Sequence, residues 1–149
     1  MGDSTEDVLA AIVATDDPRS QRAARAADLI RSSTAARWVG IYTVAGGRIS
    51  NEAWSGPAPP AHPAFSAQEG LTSHAVRVAA VAVSNDVASD ARYLTNQDDS
   101  GSELIVPIVV GGAVVGTLDV ESDAVAAFDG ARISEYERLA VVLAPLWQR

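Results

Sequence analysis

The sequence predicts an α+β domain: an antiparallel sheet with the N- and C-terminal helices packed on one face and a ligand pocket on the other. Three observations lead there. Two pairs of alternating segments each flank a Gly-Gly turn, apolar stripes at helical spacing occupy both ends of the chain, and one face of the second hairpin carries three carboxylates.

At the N-terminus, Ser4-Thr5-Glu6-Asp7 has the pattern of a helix start, and Val8, Leu9, Ile12 and Val13 follow as an apolar stripe. A second helix is expected from Asp17-Pro18, a cap followed by proline in the first turn, to about Arg31. Trp38 to Val44 alternates as a strand, and Arg48 to Trp54 returns after Ala45-Gly46-Gly47. The stretch from Ser55 to Pro63 is rich enough in proline to be irregular. A short helix is expected to begin near Thr72-Ser73, which would cap it, and to end before a strand over Val81 to Ser84. Asn85-Asp86 breaks that strand, and Ala88 to Ser100 reads as turn or irregular helix.

The segment from Ser102 to Ser122 is a hairpin of two β-branched runs around Gly111-Gly112. Its even positions, Leu104, Val106, Ile108, Val110, Val114, Leu118 and Val120, are apolar apart from Gly116, while Glu103, Thr117, Asp119 and Glu121 are odd. A plain two-residue turn would set Leu104 opposite Asp119 and mix the two sets, since a one-residue slip exchanges the faces. A three-residue loop ending in a bulge pairs even with even and odd with odd, which gathers Glu103, Asp119 and Glu121 on one face. Beyond it, Asp129 is a helix cap with Phe128 and Ile133 as a hydrophobic staple, and a long helix runs to Trp147, interrupted or kinked at Pro145. Its segment Ala140-Val-Val-Leu-Ala144 is apolar all round and needs covering on more than one face.

The 149 residues suit one domain, with helices over residues 1–33 and a core over 36–149, and the hydrophobic fraction of 48% supports a buried core. No apolar run is long enough to cross a membrane and the N-terminus lacks signal-peptide order, so a cytoplasmic protein is expected. A net charge of −8 argues against partners with phosphate backbones or anionic lipid, so neither nucleic acid nor membrane is expected. The chain has no cysteine, which excludes disulfides and thiolate chemistry. His62 and His74 match no metal-binding spacing, and neither a metal nor another cofactor is expected.

Trp38-Val-Gly-Ile-Tyr-Thr-Val44, Glu69-Gly-Leu-Thr-Ser-His-Ala75, Ser84-Asn-Asp-Val87, Ser102-Glu-Leu-Ile-Val-Pro107 and Gly116-Thr-Leu-Asp-Val-Glu-Ser122 resemble the GAF domain, a small-molecule-binding sensory module. Within that group the chain is most similar to the free methionine-(R)-sulfoxide reductase type, from about Ala36 to the C-terminus. The resemblance implies cysteines where this chain has His62, Thr72 and Asn96. Hydroxyl, amide and imidazole groups cannot form the sulfenic acid and disulfide of that chemistry, so reductase activity is not expected. The binding positions that the resemblance implies fall on Trp38, Tyr42, Glu103, Asp119 and Glu121.

The residues themselves agree: Trp38, Gly40 and Tyr42 share one strand face, with Gly40 leaving room between two aromatic walls. Aromatic faces with carboxylates suit a cation such as the ammonium group of an amine or amino acid. Without one, the carboxylates would have raised pKa values, or Arg77 or Arg92 would neutralise them. Trp54, Ser73, His74, Arg92 and Tyr93 are further candidate ligand contacts, each with a plain surface or packing role as the alternative. The expected function is a non-catalytic sensory domain that binds a small polar metabolite between the carboxylate face of the hairpin and the loops from Ser55 to Gly70 and Ala88 to Gly101. The rival is an interaction module with a vestigial pocket. An enzyme has little support, since no nucleophile with an adjacent base is evident. Expected partners are the ligand, a second copy through the terminal helices, and a separate signalling protein.

Overall fold

The computed structural model describes residues 2–92 and 100–148. Two helices, α1 (Thr5–Val13) and α2 (Arg19–Thr34), precede a hairpin of β1 (Trp38–Ala45) and β2 (Arg48–Ser55). There follow β3 (Ala64–Ser66), α3 (Gly70–Val78), β4 (Ala82–Ser84), a 3-10 turn over Val87–Ser89, a second hairpin of β5 (Ser102–Val110) and β6 (Ala113–Ser122), α4 (Gly130–Leu143), and a 3-10 turn over Ala144–Trp147. The six strands form one antiparallel sheet in the order β3-β2-β1-β6-β5-β4. The fold is α+β, as expected.

Helix starts follow local chemistry in two places and depart from it in two. Ser4 Oγ accepts from Asp7 N at 3.1 Å, and Asp129 Oδ1 accepts from Arg132 N at 2.9 Å, so both serve as N-caps. Asp17 does not cap α2. Pro18 holds that position, and the Asp17 carboxylate instead pairs with Arg25 and accepts from Thr15 Oγ1. Buried Arg22 donates to the carbonyls of Asp17 and Val13, each at 2.8 Å, which satisfies backbone acceptors at the α1–α2 corner. The helix α3 begins at Gly70 rather than near Thr72-Ser73, because both hydroxyls are taken by tertiary partners. The strand β3 lies just past the proline-rich stretch and at three residues is too short to show a period.

The second hairpin has the expected face pairing by a different route. Gly111 and Gly112, with φ of 59° and 82°, make a two-residue turn that pairs Val110 with Ala113. The extra residue sits two pairs further on, where a bulge leaves Val115 between Val114, opposite Val109, and Gly116, opposite Ile108. One inserted residue restores even-with-even pairing wherever it falls, so Glu103 lies opposite Glu121 and Ile105 opposite Asp119.

The even face packs on helices. Val39, Ile41, Leu104, Val106, Ile108, Leu118 and Val120 join Leu9, Val13, Ile30, Leu139 and Leu143 in the main core. Phe128 and Ile133 join it too, and Trp147 is pinned by a hydrogen bond from Nε1 to Thr43 Oγ1 at 2.9 Å. Pro145 stands in the 3-10 turn that ends the C-terminal helix. Within the apolar segment Ala140–Ala144, Val141 stays 75% exposed. Among the described residues no helix is long and apolar enough to cross a membrane.

Candidate functional site

On the opposite face, two smaller apolar clusters, Trp38 with Tyr42, Ile49 and Ala67, and Leu71 with Ala75, Ala82 and Ile105, flank a cavity. Tyr42, His62, Phe65, Gly70, Leu71, Thr72, Glu103 and Asp119 line it around about 340 Å³ of atom-free space, mouth included. The sheet supplies Tyr42, Glu103 and Asp119. The cover comes from the end of the proline-rich loop (His62), from β3 (Phe65) and from the start of α3.

The acids are deeply placed. Glu103 is 5% exposed, Asp119 3%, and Glu121 fully buried. Asp119 Oδ2 accepts from Thr72 Oγ1 at 2.7 Å, whereas its Oδ1 is buried with no hydrogen-bond partner among the described residues. Glu121 Oε1 accepts from Ser100 Oγ. Among the described residues, none of the ion pairs reaches Glu103 or Asp119. Arg77 donates to the Ala67 carbonyl at 3.0 Å, and Arg92 pairs with Asp90 at 2.9 Å. Neither arginine neutralises the pocket acids.

Burial, with the fields of Glu121, Asp119 and Asp90, pushes the Glu103 carboxyl well above the usual carboxylate range. Burial also pushes Asp119 up, to about 7, although the Thr117 and Thr72 hydroxyls lean the other way. Tyr42 is raised by burial and by the fields of Asp119, Glu103 and Glu121. Among the described residues no three acidic or histidine side chains converge closely enough to hold a metal ion.

Of the residues expected at the site, Tyr42, Glu103 and Asp119 stand on the cavity wall. Glu121 is the cross-strand partner of Glu103 on β5 and of Trp38 on β1. Trp38 is fully buried with its indole Nε1 donating to the Ala58 carbonyl at 2.9 Å, so it ties the proline-rich loop to the sheet rather than lining the cavity. The room at Gly40 is filled by the rings themselves: a methyl there would lie 2.4 Å from Trp38 Cη2 and 2.9 Å from Tyr42 Cε1. Trp54 is 37% exposed and off the wall. Ser73 is buried and donates to the Ser66 carbonyl at 2.9 Å, and His74 is half-buried outside the lining. Arg92 is held at Asp90, and Tyr93 lies outside the described residues.

His62, Phe65 and Gly70 line the cavity from the stretch over Ser55 to Gly70 that was expected to cover it, though none was named as a ligand contact, and Leu71 and Thr72 line it from the first turn of α3. Two of them had a signal, since His62 and Thr72 occupy positions where the reductase resemblance implies cysteines. The third such position, Asn96, lies outside the described residues. Phe65 meets Tyr42 edge to face, with ring centroids 5.9 Å apart, and extends the aromatic wall.

A six-stranded antiparallel sheet with the terminal helices on one face, and α3 beside an acidic cavity on the other, defines the α+β fold class of this domain. A family model of the GAF domain matches residues 10–146, and the chain belongs to that family. It is similar to the type II free methionine-R-sulfoxide reductase from Thermoplasma acidophilum, with 27% identity over 96% of this chain and 94% of that one, at a TM-score of 0.79. It is also similar to the free methionine-R-sulfoxide reductase from Neisseria meningitidis, solved with its substrate (22% identity, 97% and 86% covered, TM-score 0.87). A third likeness is the GAF domain of an Acinetobacter phosphoenolpyruvate-protein phosphotransferase (18%, 95% and 89%, 0.84). The last two likenesses show the fold. A comparison with curated proteins finds no match.

Proposed function

We propose that the chain is a non-catalytic, cytoplasmic sensory domain that binds a small metabolite bearing an ammonium group, an amine or an amino-acid-like molecule. One observation carries this reading: Glu103 and Asp119 face a covered cavity, nearly fully buried, and no cation among the described residues pairs with either. Buried acids of this kind are costly unless neutralised, and a ligand cation does that while stacking beside Tyr42 and Phe65. The start of α3, at Gly70 to Thr72, reaches the same cavity without a side-chain cap, which suits an anionic group on the ligand. Similarity to the archaeal reductase, whose name gives an amino-acid sulfoxide as substrate, supports the same class. With threonine and histidine at Thr72 and His62 and no cysteine in the chain, reduction of that sulfoxide is not expected.

A thermal-shift screen against amino acids, their sulfoxides, simple amines, purine nucleotides and nitrate tests the reading. A ligand at a hundredfold its dissociation constant stabilises by about 2.7 kcal/mol. Glu103→Gln should remove the shift given by any ammonium compound while the protein stays folded. Absence of a shift with every compound overturns the proposal, and turnover of methionine sulfoxide with added thiol overturns its non-catalytic part.

A second reading rests on the outward side of α4. Val141 and Val109, 75% and 49% exposed, flank an apolar groove between α4 and β5 that also includes Val106, Ile108 and Ala140. This supports an interaction module that works through its helices, by pairing with a second copy or with a signalling protein. A monomer at all concentrations in sedimentation would leave only the latter.

A further inference from the structure

Thr72 and Asp119 come from distant parts of the chain, α3 and β6, and meet at 2.7 Å on the cavity wall. Both are more than nine-tenths buried. The Thr72 hydroxyl spends its proton on Asp119 Oδ2, so toward the cavity its oxygen offers lone pairs and no donor. Asp119 Oδ1 beside it has no hydrogen-bond partner among the described residues, although the Thr117 hydroxyl, equally without one, lies close enough to act on this carboxyl. With Asp119 ionised, the pair therefore presents acceptors to the cavity that call for hydrogen-bond donors.

We propose that Thr72 and Asp119 form the selectivity element of this cavity, taking up a cation that donates N–H hydrogen bonds to both of them, in exchange for any proton on the carboxyl. This rests on the ammonium reading above. In the exchange the Asp119 carboxyl releases its proton to water through the mouth, and the ammonium group keeps its own protons. No bond of the ligand breaks, and the net charge inside is unchanged. A quaternary ammonium ion brings the same charge but no N–H, and it would leave both acceptors buried and unpaired.

The groups around Asp119 hold its proton in the empty cavity. Glu103 faces it from β5, Glu121 and Thr117 from its own strand, Tyr42 from β1 and His62 from the proline-rich loop, while Asp90, further out, is already paired with Arg92. Burial first, and then the charge of Glu121, opposes ionisation of Asp119 and pushes its carboxyl up to about 7, against the lowering effect of the Thr117 and Thr72 hydroxyls. Thr72 stands at a position where the reductase resemblance implies cysteine, so the element belongs to this chain's own residues.

The test uses ethylammonium and tetramethylammonium chloride as probes at matched ionic strength, with binding followed by thermal shift and by NMR at pH 5.5 and pH 8. Ethylammonium should bind the wild-type protein about thirtyfold more tightly at pH 8, the ratio of ionised Asp119 for a group titrating at about 7. Tetramethylammonium should give no shift at either pH. Thr72→Val, which keeps shape and removes the acceptor, should weaken ethylammonium about tenfold. In Asp119→Asn the pH dependence should vanish, and in the free wild-type protein the 13C signal of the Asp119 carboxyl should titrate near neutrality. Equal response to the two probes, binding of ethylammonium that ignores pH, or a carboxyl that titrates below about pH 5 overturns this assignment and leaves the ammonium reading standing. Silence of both probes overturns the ammonium reading itself.

Discussion

Gly40 is the residue on which the aromatic side of the site turns. Its neighbours two positions away on the same face, Trp38 and Tyr42, fold their rings toward each other across it, so that a Cβ there would sit 2.4 Å from one ring and 2.9 Å from the other. Gly40→Ala should therefore force both rings off their rotamers, at a cost of about 1–3 kcal/mol in urea unfolding. The displaced Trp38 should also loosen its hold on the Ala58 carbonyl. Faster amide exchange across residues 56–63 in the variant would register that loss, and unchanged exchange would show that the loop is held without Trp38. Strand alternation was enough to put Trp38, Gly40 and Tyr42 on one face. It was silent on ring direction, and so on which aromatic meets the cavity and which is buried beneath the loop.

At the scale of elements, what was legible depended on whether the deciding interaction was local. Asp129 caps α4 through the amide of a residue three positions on, which a sequence displays directly. Replacing it with alanine should cost about 1 kcal/mol. Asp17→Ala, in an element where proline took the capping position, should cost less, and paired chemical denaturation of the two variants makes the comparison. The start of α3 was misplaced by two residues because Thr72 and Ser73 look like caps while their partners, Asp119 and Ser66, lie in other strands. The second hairpin shows the middle case. Its alternation required an odd residue somewhere, which placed Glu103 opposite Glu121, but nothing local distinguishes a longer loop from a two-residue turn followed by a bulge at Val115. The stretch from Ser55 to Gly70 was legible as cover for the pocket, but not which of its residues turn inward: His62 and Phe65 could not be named, since an irregular proline-rich stretch carries no period from which to read a face.

For the whole molecule, the consequence of burying acids on one face of the sheet is an unusual response to pH. A carboxyl whose folded pKa is raised binds its proton more tightly in the folded state than in the unfolded chain. Its contribution to stability is therefore complete below the unfolded value and falls as pH rises toward the folded one. For Asp119 that window runs from 3.8 to about 7, and across it the loss reaches about 4 kcal/mol, at 1.36 kcal/mol for each unit. Glu103, raised in the same direction, extends the fall to higher pH. Carboxylates stabilised by arginine act in the opposite sense: Asp90, held low by Arg92, loses its contribution only in stronger acid. The ligand-free protein should thus be more stable near pH 5 than near pH 8, a fall that urea denaturation at a series of pH values would measure. Asp119→Asn should make the fall between pH 5 and 7 shallower, because an amide has no proton to lose, and the slope that remains belongs to Glu103. If the wild-type protein instead gained stability steadily from pH 5 to 8, the buried acids would have to be ionised and neutralised already in the free protein, and the cavity would not need a ligand to supply the charge.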